Sequence, residues 1–151
     1  MSLTRANIET ILVKRCGPLM TAAGMATTVL GSNADLNDPI GYAVRKAGGS
    51  VTSFVAVADA DIAGVDELGY DQLLDLAELR TLETILGNLD DVDLRVGPRD
   101  EKFSQLRTDT EKRMERLQKR IEKEYGIGVS IEAGVVILDF VEHNESLSES
   151  E

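Results

Sequence analysis

The stretch Gly87–Leu106, GNLDDVDLRVGPRDEKFSQL, decides how the chain is divided. It joins two runs of opposite character. In the run before it, Leu73, Leu74, Leu76, Ala77, Leu79, Leu82, Ile85 and Leu86 cover more than one narrow helical stripe. A helix apolar on several sides is a central one, touched by several neighbours. Burying one Leu contributes roughly 1.5–3 kcal/mol, so Tyr70 to Leu86 is predicted to dominate the core. Gly87-Asn88 reads as its C-terminal cap. Within the joint, Val92, Leu94 and Val96 alternate with Asp91, Asp93 and Arg95. That period of two predicts an extended segment with one wet face. Gly97-Pro98 then restarts a helix, with Asp100 and Glu101 in the first turn, where the helix dipole favours negative charge.

The restarted helix is predicted to run from about Pro98 to Tyr125, ending at Gly126. Its apolar positions, Phe103, Leu106, Met114, Leu117 and Ile121, are spaced mainly by three and four, with Thr110 at the intervening place. The stripe is thin and heptad-like, and almost everything else is charged or polar. At ~1.5 Å per residue the helix would be about 40 Å long, too long to bury along its whole length in a small domain. Two readings stand at this point. The helix packs on its own core with a solvated outer face, or part of it packs on a neighbouring copy.

The N-terminal part reads as smaller helices. Leu3 to Arg15 forms the first, capped by Thr4, with Ile8, Ile11 and Leu12 on one side. Gly17-Pro18 is expected to break it. Asp38-Pro39 is a good helix start, with Ile40, Ala43, Val44 and Ala47 on one face and Gly48-Gly49 as its end. Val51 to Val57 reads as extended, and Asp59 or Asp61 as the cap of a short helix to Val65. After Gly126, Val129 and Ile131, then Val135 to Val141, are strand formers around Ala133-Gly134. They suggest a β hairpin or an extended arm, followed by an acidic tail. The fold class is therefore mainly α: a helical bundle over residues 1–126, then a β-prone arm and tail over 127–151.

Composition narrows the function. Aromatics are 4%, so the core is built from Leu, Ile, Val and Ala, which favours helices. The net charge is −11, which argues against gripping phosphate backbones as the main task. The charge is uneven. Between Asp59 and Asp93 eleven acidic residues face Arg80 alone, whereas Arg99 to Glu124 holds nine basic and seven acidic residues. No run approaches the ~20 apolar residues of a membrane span, and MSLTRANIET lacks the apolar core of a signal peptide. The expectation is a soluble intracellular product, without membrane attachment. Cys16 is the one cysteine, so no internal disulfide can form, and it reads as a small apolar residue.

No catalytic, cofactor-binding or metal-binding residues are expected. His143 is the one histidine, far in sequence from any Cys, so neither a zinc site nor a histidine-based triad is supported. Asp59, Asp61, Asp66 and Glu67 lack the calcium-loop pattern. Gly48-Gly49 lacks phosphate-loop spacing. The Lys and Arg residues of the last helix are interleaved with Asp and Glu, a poor nucleic-acid footprint.

The order of these elements resembles the head-to-tail connector, or adaptor, proteins of tailed double-stranded DNA bacteriophages and related gene-transfer particles. The likeness lies in small N-terminal helices, then DQLLDLAELRTLETILGN, the joint LDDVDLRVGPR, the long helix EKFSQLRTDTEKRMERLQKRIEKEYG, and a short β-prone tail. It covers most of the chain, strongest from Tyr70 to Val141, and rests on hydrophobic and turn patterns. The resemblance implies a non-enzymatic virion protein at the head–tail junction. Copies would form a dodecameric ring beneath the portal protein and extend the DNA channel toward a tail-side completion or terminator protein. The portal-docking arm would be Val129, Ile131, Val135, Val136, Ile137, Leu138, Phe140 and Val141. Phe103, Leu106, Met114, Leu117 and Ile121 would contribute to subunit contacts. An acidic belt of Asp59, Asp61, Asp66, Glu67, Asp90, Asp91 and Asp93 would face the channel, passing double-stranded DNA without binding it. The alternatives are a helical interaction module that pairs through its long helix, and another tail-completion protein.

Overall fold

A computed structural model of the protein describes residues 2–96 and 101–126. They form five α-helices: α1 (Arg5–Ala22), α2 (Asn37–Lys46), α3 (Asp59–Ala63), α4 (Tyr70–Val96) and α5 (Glu101–Tyr125). Short 3-10 turns lead into α2 and α4. No strand occurs among the described residues, and the expected C-terminal hairpin lies outside them. The mainly helical class is as read from the sequence. The chain divides into two compact units, Met1–Leu117 and Gln118–Glu151, so the division falls inside α5.

In the first unit α4 packs against both α1 and α2. Leu73, Leu76, Ala77, Leu82 and Ile85 are fully buried, and Leu79 nearly so. This is the central helix that its broad apolar surface predicted. Its end differs from the prediction. The joint is not extended from Leu89: α4 continues through Gly87 and Asn88 to Val96. Leu89 is 2% exposed, four residues after the buried Ile85, so the buried face carries on past Gly87. Adding residues to a helix already formed needs no new nucleus, whereas a short alternating segment has no partner strand among the described residues. The predicted restart at Gly97-Pro98 falls outside the described residues.

A second difference is at Gly17-Pro18, which does not end α1; Pro18 lies inside the helix. Ile8, Leu12, Cys16 and Met20, each four residues apart, are all fully buried and form one stripe across the proline. That burial outweighs the missing N–H at Pro18. The Thr21 hydroxyl donates to the Gly17 carbonyl at 3.0 Å. Thr4 caps the helix as expected, its hydroxyl accepting from the Asn7 N–H at 3.3 Å. In α2 the helix starts at Asn37, so Asp38 sits in the first turn rather than at the cap. Gly48 ends α2 with φ +90°. Gly49 is needed for closeness: a Cβ there would lie 2.7 Å from Val44 Cγ1 and 2.9 Å from Val65 Cγ2.

Within the connection between α2 and α3, one carboxylate gathers three donors. Asp61, 5% exposed, accepts from the Thr52 N–H at 3.1 Å and the Thr52 hydroxyl at 3.0 Å. Its other oxygen accepts from the Ala58 N–H at 2.9 Å. The Ala58 N–H, opposed by burial and helped by Thr52, holds the carboxyl below its ordinary value of 3.8. A carboxylate lowered on folding adds stability that is fully present above its unfolded pKa and is lost as pH falls through the folded one. The expected outcome is therefore a stability gap between the native chain and Asp61→Asn that is constant near neutral pH and closes below about pH 4. Thermal unfolding midpoints from pH 7 to pH 3 check it. A gap that persists unchanged at the acid end would rule out this role for the charge.

Candidate functional site: buried ion pairs and exposed surfaces

Two buried polar networks are the first places to look for chemistry. In the first, Arg5 and Glu9 lie one turn apart on α1, 3% and 0% exposed. Arg5 Nε meets Glu9 Oε1 at 2.9 Å. The same guanidinium donates to the Val57 carbonyl at 2.7 Å and the Asn33 carbonyl at 2.7 Å. Glu9 accepts from the Gly31 N–H at 2.7 Å and the Asn33 N–H at 2.9 Å. The Arg5 N–H is taken by Asp59 at 2.7 Å. One ion pair thus clasps both long connections onto the start of α1. Every polar atom named is engaged in holding the fold, and none is left for a substrate.

The second network joins α1, α4 and the first unit's part of α5. Asp75 and Glu78, each 6% exposed, stand three residues apart on α4. A buried carboxylate pair is a common arrangement for general acid–base work. Here both oxygens of Glu78 are occupied: Oε2 by Arg15 at 2.7 Å and Oε1 by Arg113 at 2.8 Å. Arg15 also reaches Asp75 at 3.2 Å. Burial works against the Arg15 charge, but Glu78 and Asp75 outweigh it and hold its pKa above the ordinary value. Cys16, fully buried beside this group, is pushed up to about 11, first by desolvation. A thiol held protonated near neutral pH is not a nucleophile. The network ties α1 and α4 to Arg113 of α5. The sequence reading gave none of its members a role in such a network; the signal was the acidic Asp75 and Glu78 inside an otherwise apolar run.

Arg80, the lone cation of the acidic stretch, ties α4 to α2. It meets Asp38 at 2.8 Å and Glu83 at 3.0 Å, and its guanidinium lies 5.2 Å from the Tyr42 ring centre. Burial pushes the Tyr42 hydroxyl above its ordinary pKa, with Glu83 adding to the shift. Among the described residues no group of His, Cys, Asp and Glu is arranged to hold a metal ion. No described helix is long and apolar enough to cross a membrane.

The sequence-predicted sites are placed as follows. In the acidic belt, Asp59, Asp66, Glu67 and Asp91 are exposed. Asp90 is partly exposed and pairs with Arg107 at 3.0 Å. Asp93 belongs to α4. Asp61 is the exception: it is buried and turned onto its own loop, so it leaves the belt. In the subunit-contact stripe, Leu117 and Ile121 are 5% and 0% exposed within the single chain, and Thr110 is fully buried. Phe103, Leu106 and Met114 are partly exposed. The docking-arm residues Val129, Ile131, Val135, Val136, Ile137, Leu138, Phe140 and Val141 lie outside the described residues, as does His143.

Exposed apolar residues were not anticipated. Leu30, Phe54, Val55 and Leu68 are 84%, 79%, 79% and 92% exposed, all on connections between helices. Large apolar side chains left in water mark contact surfaces when they cluster with a charged rim. Leu68 does so within one turn of chain, since Asp66, Glu67 and Asp71 surround it in sequence. No known protein family, curated protein or solved structure matches the chain.

Proposed function

We propose that the chain is a non-enzymatic virion structural protein, a head–tail adaptor whose copies form a ring beneath the portal and carry the DNA channel toward the tail. The observation that carries the reading is the helix order. Helices α1–α3 precede a central α4 that packs on α1 and α2, and a long amphipathic α5 follows it, in the order of the connector proteins that the sequence resembles. The charge distribution supports it. Asp59, Asp66 and Glu67, in the stretch leading into α4, are exposed, and Asp91 is exposed about 31 Å further along that helix. A lumen lined by such groups repels phosphates and lets duplex DNA slide. Partners in this reading are the portal protein, a tail-side completion or terminator protein, and further copies of the chain. The pairing-module alternative is less well supported, because Leu117 and Ile121 are already buried within one chain.

The test is electron microscopy of the protein mixed with portal complexes from its own source. The expected result is a ring of added density beneath the portal. A chain truncated at Val129 is expected to keep its helical circular dichroism and lose the ring. No added density on intact portals would overturn the adaptor reading, and loss of helical signal on truncation would make the arm part of the core.

A further inference from the structure

We propose that the turn around Leu68 of one copy docks on the outer ridge of α5 of a second copy. The inference rests on the ring-forming reading above and names its contact surfaces.

The ridge is hidden in the linear sequence, where basic and acidic residues alternate. On α5, Lys112, Arg116, Lys119 and Lys123 follow at steps of four, three and four residues. Those steps put them on one line of the helix. All four are exposed, and the line runs opposite the buried Thr110, Leu117 and Ile121. At ~1.5 Å per residue it spans about 16 Å. No Asp or Glu falls on that line between Lys112 and Lys123; Glu111, Glu115 and Glu122 lie along its flank.

The turn is its complement. Asp66 and Asp71 are exposed and bracket Leu68, which at 92% is the most exposed large apolar residue described. Lys and Arg stems are apolar while their heads are charged. A row of such stems can cover Leu68 while the heads meet the carboxylates. Opposite charges around a small apolar centre fix partner and register more than they add raw affinity. Duplex DNA is the poorer occupant of the ridge. The chain carries a net charge of −11, and the acidic flank of α5 would meet any approaching phosphate. Because turn and ridge are different surfaces of one chain, the contact is heterologous. Each copy can use both, and the series closes into a ring when the rotation allows.

Sedimentation velocity of the full chain over a concentration series, at about 50 mM and about 500 mM salt, reads the contact. Association that weakens with salt is expected. Lys112→Glu with Arg116→Glu, and separately Asp66→Lys with Asp71→Lys, should each weaken it by about tenfold or more. These positions are exposed, and circular dichroism is the check that the variants fold. Mixing the two variants should restore association, because each reversed surface then meets a complementary one. A wild-type chain that stays monomeric throughout, or variants that associate as it does, would overturn the proposal. So would a ridge variant that loses retention of a duplex of about 20 base pairs while its self-association is unchanged. Portal binding is scored separately. Rings on the portal that ignore both reversals remove this contact and leave the adaptor reading. Self-association through the contact without portal binding does the opposite.

Discussion

Replacing Arg5 by Ala is expected to destabilise the fold by about 3–5 kcal/mol, the range for removing one partner of a buried ion pair. For a chain of this length that is a fall in the unfolding midpoint on the order of 10 °C. The cause is specific. Glu9 is fully buried, so without the guanidinium its charge has no compensating cation at 2.9 Å. The Val57 and Asn33 carbonyls lose their donors at the same time. Hydrogen exchange should rise in both connections that Arg5 clasps, near residues 28–33 and 52–58. Glu9→Ala alone should cost a similar amount, because the Gly31 and Asn33 N–H groups lose their acceptor. The double variant should fall well short of the sum of the two, since the members act as one unit. Arg80→Ala is the control. Its pair with Asp38 is 39% and 60% exposed, and exposed pairs contribute about 0–1 kcal/mol. If Arg5→Ala behaves like Arg80→Ala, the clasp is not what holds the loops.

The same comparison shows which parts of the fold a single sequence reveals. The central helix was legible because Leu73 to Leu82 repeat an apolar pattern too dense for any surface position. The cap at Thr4 was legible because a hydroxyl before an apolar periodic run has one local use. The failures share a physical cause. Gly17-Pro18 and Gly87-Asn88 are local stop signals worth a few kcal/mol at most. Each lies between residues buried on the same face: Cys16 and Met20 in one case, Ile85 and Leu89 in the other. Continuity of burial outweighed the local signal, and it depends on partners that are distant in sequence. Asp61 was legible in part, as a cap of the short helix, and its carboxylate does accept from the Ala58 N–H at the start of α3; its bonds to Thr52 were hidden for the same kind of reason. A carboxylate in an acidic stretch looks solvated until the loop that folds over it is known. The basic line on α5 lay in plain view of helical arithmetic, but only once Leu117 and Ile121 settled which side faces inward.

The largest effect is expected from Leu117→Asp combined with Ile121→Asp, and it separates the two readings of α5. Both side chains are buried in the single chain, at 5% and 0% exposure. A carboxylate placed at such a position is either desolvated without a partner or held protonated, at roughly 2–7 kcal/mol for each polar group left without a hydrogen bond. Deleting the apolar atoms removes a further ~2–3 kcal/mol per site. A domain of this size has about 5–15 kcal/mol in total. The double variant should therefore show no cooperative thermal transition at dilutions where the wild-type chain is a monomer. Had the stripe been kept for neighbouring copies, the same substitutions would leave the monomer's transition intact and abolish only its association. Replacing the outward pair, Lys112 and Arg116, by Glu should give that second pattern: an unchanged monomer transition with weakened self-association. Observing the two patterns exchanged would place the inner and outer sides of α5 the other way round, and the ridge contact would fall with them.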